Sequence, residues 1–314
     1  MKIFFFLLSF NCFLTTIAQD ATIIDLKNNT HDVAIKKDPK DTVSAVWKSG
    51  GLLNININQG SLNNWSAGGD KFSLSINSYL NLFAFYKKGK YAWDNSLDLT
   101  YGMTQTTSLG NRKSSDRIDF TTKYGYSIGK KLNFSGLLNI RSQFADGFAY
   151  TKDDTGKEMI TRTSRTFSPT YVLLSLGLDY KPSENLSLLA SPITGRWVLV
   201  SDKLIGPIYG LEPGKMVRTE VGAFVSANYQ KTFGSGLTLK SKLDLFSNYK
   251  SQPENIDIFF TNVLSAKITK YINVNFNVDM IYDDNTQNVV PGKGPAPQWL
   301  QLMGIGFAYK FVKS

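Results

Sequence analysis

The chain is predicted to be all-β, a transmembrane antiparallel up-and-down β-barrel of about 12 strands. Three observations point there. The first is alternation. Within 115–128, Ile118, Phe120, Thr122, Tyr124, Tyr126 and Ile128 share one face, while Arg117, Asp119, Thr121, Lys123 and Gly125 share the other. Within 272–282, Ile272, Val274, Phe276, Val278, Met280 and Tyr282 oppose Asn273, Asn275, Asn277 and Asp279. A period of two marks a strand. The second is length. Many stretches approach fourteen residues or more, whereas strands of soluble sandwiches run about five or six. A tilted strand crosses a bilayer in about 9–11 residues. The third is the connections, which alternate short and long as they do around a membrane barrel.

The elements follow in order. Residues 1–18 read as a signal peptide: Lys2 is the positive start, Phe4–Phe10 begin the apolar core, and Thr16-Ile17-Ala18 precede the cut before Gln19. That core is too short to span. Cys12 lies inside it, behind a poor match to a lipoprotein signal, and is the only cysteine. The mature chain then has no disulfide, thiol nucleophile or cysteine metal site. Residues 19–46 are polar, contain Lys27, Lys36, Lys37 and Lys40, and are expected to be a periplasmic N-terminal segment, mobile or tucked into the barrel. Residues 47–314 form the barrel unit, with strands expected at 50–59, 70–86, 90–104, 115–128, 131–145, 168–181, 185–201, 215–231, 236–249, 255–268, 271–283 and 297–312. Ten or fourteen strands remain compatible with the pattern. In 185–201, Pro192 and Gly195 interrupt the period, so this is one bent strand or two short ones.

Long connections are expected at 60–69, 105–114, 146–167, 202–214 and 284–296, and short ones at 87–89, 129–130, 182–184, 232–235 and 269–270. The link near 251–254 should be long and is only modest. Aromatic residues cluster at both ends: Tyr86, Tyr91, Trp93, Tyr126, Phe134, Tyr180, Tyr229, Phe233 and Tyr271 near the short turns, and Tyr101, Phe144, Tyr249, Tyr282 and Trp299 near the long loops. Two girdles of this kind mark the membrane interfaces. In the last strand, Gly306, Tyr309 and Phe311 match the terminal targeting signal of outer-membrane barrels, a glycine followed by spaced aromatics. Short turns then face the periplasm, and both termini return there.

Charge narrows the function. The formal net charge is +10, or +9 once Lys2 leaves with the leader. Lysines gather at the short-turn lip: Lys87, Lys88, Lys90, Lys130, Lys131, Lys181, Lys231, Lys270, Lys310 and Lys313. Snorkelling to lipid phosphates is the favoured reading, ahead of docking an acidic periplasmic partner. Either accounts for the basic balance without nucleic acid. The expected lumen is mixed: Arg117, Lys123, Arg141, Arg218, Lys240, Lys242 and Lys267 against Asp94, Asp98, Asp119, Asp179, Glu220, Asp244, Asp257 and Asp279. An ion-selective pore would carry a ring of one sign. A balanced set in a twelve-strand barrel is expected to pair and fill the interior. Asn54, Asn56, Asn58, Asn77, Asn81, Asn273, Asn275 and Asn277 should meet where the first and last strands close, as an interior amide ladder or as a surface for sugar hydroxyls or peptide backbone.

Sites are weighed by chemistry. Asp153, Asp154 and Glu158 in the longest loop, and Asp283 with Asp284, lack the ligand spacing of a known calcium loop and are expected to be solvated or paired acids. The only histidine, His31, precedes the barrel, so the histidine-based hydrolase arrangement has no place in it. The run Asn63–Gly69 is a tight loop with no helix after it, not a phosphate cradle. No catalytic residue, cofactor or metal is expected.

Several stretches together carry a resemblance: Trp47–Gly51, Ser61–Gly69, Trp93–Asp98, Ser115–Tyr126 and Asn255–Asp257. On them the chain resembles a family of Bacteroidota outer-membrane proteins known as domain of unknown function 3078, from about residue 47 to the end. The resemblance implies an outer-membrane barrel and brings no activity or site residue. The expectation is a non-enzymatic membrane component, structural or accessory to a larger outer-membrane assembly, in contact with outer-membrane lipid and with outer-membrane or periplasmic proteins. A narrow channel for small polar solutes is the alternative.

Overall fold

Apolar side chains of this chain lie outside and polar ones inside. Strand Thr170–Ser183 displays the rule. Leu174, Leu176 and Leu178 are 46%, 47% and 44% exposed, while Ser175 and Asp179 on the opposite face are each 1% exposed. Water would penalise such an arrangement; lipid rewards it. In a hydrocarbon layer each backbone N–H and C=O also needs a partner within the protein, and among sheets only closed ones supply that.

The computed structural model describes residues 47–63, 70–152, 155–183, 185–234, 236–269, 271–285 and 294–313. The expected signal peptide, the segment 19–46, His31 and Asp153-Asp154 lie outside them. The strands are β1 (Trp47–Ser61), β2 (Phe72–Lys88), β3 (Tyr91–Thr106), β4 (Gly110–Ser127), β5 (Leu132–Ser142), β6 (Gly147–Lys152), β7 (Glu158–Ser164), β8 (Thr170–Ser183), β9 (Leu186–Leu199), β10 (Val217–Phe233), β11 (Leu237–Asn248), β12 (Ile256–Lys267), β13 (Ile272–Tyr282) and β14 (Gln298–Lys313). Twelve of them form one closed antiparallel barrel, with β5 followed by β8 and β14 returning to β1. The strands β6 and β7 form a separate two-stranded sheet. The expected twelve barrel strands are all present.

Two expected loops are more ordered than the sequence indicated. Residues 105–114 are largely strand: β3 and β4 continue to the pair Thr106–Gly110, and β2 follows β3 as far as the pair Ser73–Thr106. Residues 146–167 contain the β6–β7 hairpin, which leans on that extension. The Arg112 guanidinium pairs with Glu158 and lies 3.7 Å from the centre of the Tyr150 ring. Period-two alternation is weak in both segments.

The interrupted stretch 185–201 is a single strand with a bulge. Opposite β9, the β10 register steps from Gly222–Thr194 to Phe224–Ser191, and the β8 register steps from Leu176–Ile193 to Leu178–Ala190. Pro192 lacks the N–H that a regular ladder would need there. The freed groups are gathered by Ser191, whose hydroxyl donates to the carbonyls of Leu176 (2.8 Å) or Ile193 (2.9 Å). Glycines make room on either side. A Cβ at Gly177 would strike the carbonyl of Ala190, and one at Gly222 the carbonyl of Ser247.

The aromatic girdles are in place. At the short-turn end Trp47 packs against Tyr86 and Trp93 with ring centres 5.2 and 6.0 Å apart, and Tyr91 packs against Tyr126 at 5.2 Å. Tyr101, Phe144, Tyr249 and Trp299 are exposed at the other end. Lys87, Lys88, Lys90, Lys130, Lys131 and Lys231 are exposed at the short-turn lip. Lys90 and Lys231 lie over the girdle rings of Tyr126 and Phe233.

Gly177→Ala and Gly222→Ala are each expected to cost about 2–3 kcal/mol, because the added carbon meets backbone rather than a movable side chain. Gly129→Ala, which meets only Leu132 Cβ at 3.8 Å, should stay within about 0.5 kcal/mol. Heat-modifiable gel mobility across a urea series reads all three.

Candidate functional site: the charged lumen

The inward face of the strands is a belt of paired charges. On the β2–β4 side, Asp98 accepts from Tyr79 Oη (2.5 Å) and Asn81 Nδ2 (2.8 Å). Beside it, Asp119 accepts from Asn139 Nδ2 at 2.6 Å and pairs with Arg141 Nε at 3.4 Å. Toward the short turns Asp179 takes Lys123 Nζ at 3.1 Å, Lys181 Nζ at 3.5 Å and the Ser187 hydroxyl at 2.7 Å. On β11, Asp244 accepts from the Ser226 hydroxyl at 2.6 Å and pairs with Lys242 at 3.5 Å. Toward the long loops, Arg196 Nε pairs with Glu220 while its Nη2 lies 2.7 Å from Asp257 Oδ2. The same guanidinium lies 4.1 Å from the centre of the Phe246 ring, and Arg218 stands 3.8 Å from Glu220.

Burial explains why pairing is the rule. A lone ion taken out of water costs several kcal/mol, and a partner with hydrogen bonds offsets that. Arg117, Asp98, Asp119, Asp179, Glu220, Lys242, Asp244 and Asp257 are all buried. Each sits on a strand face that lipid cannot reach, so the strands fix the charges in register and the charges hold the strand faces together.

Apolar side chains share the interior. Leu189, Phe224 and Phe246 form a buried cluster with Leu137 and Leu173. Nearer the long loops, Val198, Val200, Ile205, Tyr209 and Leu211 form a second, with Tyr171 and Ile208. The loop after β9 folds over the mouth through a 3-10 turn at Gly206–Tyr209, and Tyr209 Oη donates to the Thr163 carbonyl at 2.8 Å, tying it to β7. Between these groups the described side chains leave a cavity of about 90 Å³. Asp94, Lys123, Arg141, Arg218, Lys242 and Asp244 line it.

Most expected lumen residues therefore converge. Lys240 is half-buried on the same face of β11. Lys267 does not join them: it is exposed at the short-turn end, because β12 ends there and leaves its side chain to solvent. Asp279 pairs through its backbone with Thr261 and Leu300, and its side chain lies outside the described residues. In β14, Gly306 is buried, Tyr309 is exposed, and the Phe311 side chain lies outside the described residues. Of the expected asparagines, Asn54 and Asn56 lie at the closing seam: a Cβ at Gly306, which is opposite Asn273, would strike Asn56 Oδ1 and come within 2.8 Å of Asn54 Oδ1. Asn58 is exposed, Asn77 and Asn81 turn instead to Ser114 and Asp98, and the Asn277 side chain lies outside the described residues.

Arg196 is the residue that sequence reasoning missed. Before the bulge β9 turns Ser187, Leu189 and Ser191 inward; after it, Thr194, Arg196 and Val198. The face changes parity at Pro192, so an uninterrupted count assigns Arg196 to the wrong side. Tyr79 and Asn139 were missed for another reason: their roles come from partners on neighbouring strands.

Comparisons with known proteins add no chemistry to the site. A family model described as protein of unknown function (DUF3078) matches residues 57–148, from within β1 to the start of β6. No functionally curated protein matches the chain. Among solved structures, an outer membrane channel from Pseudomonas putida F1 is similar at 12% identity and a TM-score of 0.40, covering 87% of this chain and 99% of that one. The translocator domain of the autotransporter NalP from Neisseria meningitidis is similar at 10% identity and a TM-score of 0.40, covering 86% and 90%. The NanC porin is similar at 10% identity and a TM-score of 0.39, covering 83% and 98%. Likeness at that level says nothing of a ligand or an activity.

Arg196→Ala is expected to destabilise the barrel by about 3–5 kcal/mol, because Glu220 and Asp257 lose the cation that bridges them. Combining Arg196→Met with Glu220→Gln and Asp257→Asn should recover most of the loss. Urea unfolding of the folded barrel in detergent compares the two.

Proposed function

We propose that this chain is a non-enzymatic β-barrel of a bacterial outer membrane, serving as a structural or accessory component of a larger outer-membrane assembly. The lumen carries this reading. Its described charges engage one another, two apolar clusters occupy the interior, and a loop covers the mouth. A solute pathway needs polar groups left available to the solute along its length, and these groups are committed to each other. In this reading the short turns face the periplasm, and the exposed lysines there reach inner-leaflet phosphates. The long loops, including β6–β7, form the outward contact surface. The partners are outer-membrane lipid and outer-membrane or periplasmic proteins, and nucleic acid has no part.

One observation favours a second reading, a narrow channel for small polar solutes: the free volume beside Lys123, Arg141 and Lys242. Single-channel recording of the full mature chain in a planar bilayer separates the two. The component reading expects no steady conductance steps. Steady steps would overturn it and establish the channel.

Orientation has its own test. A cysteine at Leu109 (Leu109→Cys), in the exposed turn between β3 and β4, is expected to react with an impermeant maleimide on intact cells. Lys88→Cys, at the exposed opposite end, should react only after permeabilisation. The reverse pattern would invert the topology.

A further inference from the structure

At the long-loop mouth, β12 and β13 bring like charges together. Their register ends at Ile258–Tyr282, and one further step sets Asp257 against Asp283. One carboxylate oxygen from each of Asp257, Asp283 and Asp284 lies within 4.8 Å of the other two. Carboxylates directly across a strand pair repel, yet local hydrogen bonds hold these in place. Asn285 N donates to Asp283 Oδ1 at 2.8 Å, and Asp284 accepts from Asn285 Nδ2 at 2.8 Å and from Asn255 Nδ2 at 2.9 Å.

Two further observations point to a ligand. Asp257 is 2% exposed, and while its Oδ2 faces Arg196, its Oδ1 is buried with no hydrogen-bond partner among the described residues. A buried carboxylate oxygen without a donor bears an uncompensated desolvation cost. The local charge is also unbalanced. Arg196 and Arg218 stand beside Glu220, Asp257, Asp283 and Asp284. Among the described residues that is two positive groups against four negative ones, an excess that one divalent cation would cancel.

We infer that Asp257, Asp283 and Asp284 form a calcium site at the mouth of the barrel. The donors are all carboxylate oxygens, which suit a hard cation. Three carboxylates drawn from a strand and a turn suit calcium's variable geometry. Magnesium demands a near-ideal octahedron and retains most of its water. The ion supplies Asp257 Oδ1 with a partner and ties the start of β12 to the end of β13. The site is independent of whether the lumen conducts.

The test uses the folded full-length barrel, stripped with EGTA and titrated with calcium chloride by calorimetry. One ion per barrel is expected, with a dissociation constant of about 0.1–1 mM, the range of extracellular calcium modules, and with a rise in the thermal midpoint. Asp283→Asn and Asp284→Asn should each weaken binding at least about tenfold, since each removes one anionic ligand of a site tuned by ligand charge. Both should keep the heat-modifiable mobility of the folded barrel. If one variant does not fold, the other carries the comparison. No binding by the unaltered barrel, or unchanged binding in every variant that folds, would overturn the site. Equal affinity for magnesium would overturn its assignment to calcium.

Discussion

The structure depends on ring closure between its first and last strands. Hydrocarbon offers no partner to a backbone N–H or C=O, so an open edge inside the membrane would cost several kcal/mol per group. Here β1 meets β14 from Ser49–Lys313 to Ile55–Phe307, while on its other side it pairs with β2 along its whole length, from Trp47–Tyr86 to Ser61–Phe72. The asparagines of β1 reach over Gly306 at this seam. A side chain there would collide with them, so glycine in the last strand has a packing role besides any part in targeting.

Closure divides the side chains into two solvents. Those facing out meet lipid and are apolar, with tyrosine and tryptophan at the two ends. Those facing in meet one another, and their charges become affordable only in pairs. Arg196 concentrates that logic, because one guanidinium serves Glu220, Asp257 and the face of Phe246. The apolar clusters around Phe224 and Tyr209 complete the filling. The interior therefore resembles a protein core with ion pairs in it more than a water-filled tube.

What was legible in the sequence follows from the same division. Wherever a strand touches lipid on one side and lumen on the other, the period of two is forced, and all twelve barrel strands could be read from it. Where that contrast disappears, the reading fails. The end of the β3–β4 hairpin and the separate β6–β7 sheet carry no clear alternation of apolar and polar residues. The bulge at Pro192 inverts the parity of β9 midway, hiding Arg196 from an uninterrupted count. The acidic cluster was half visible, as Asp283-Asp284. Its third member, Asp257, comes from the neighbouring strand, and only the register between β12 and β13 brings it there. Lys267 was misplaced because alternation says which face a residue takes, not whether the strand end is still enclosed.

Spin labelling along β8 measures the inside-out partition itself. Single labels at positions 174, 175, 176, 178 and 179, in the barrel reconstituted into lipid bilayers, report collision with oxygen, which enriches in hydrocarbon, and with a water-soluble nickel chelate. Oxygen accessibility is expected to peak at 174, 176 and 178 and to fall at 175 and 179. A profile without a period of two, or with the opposite phase, would contradict it.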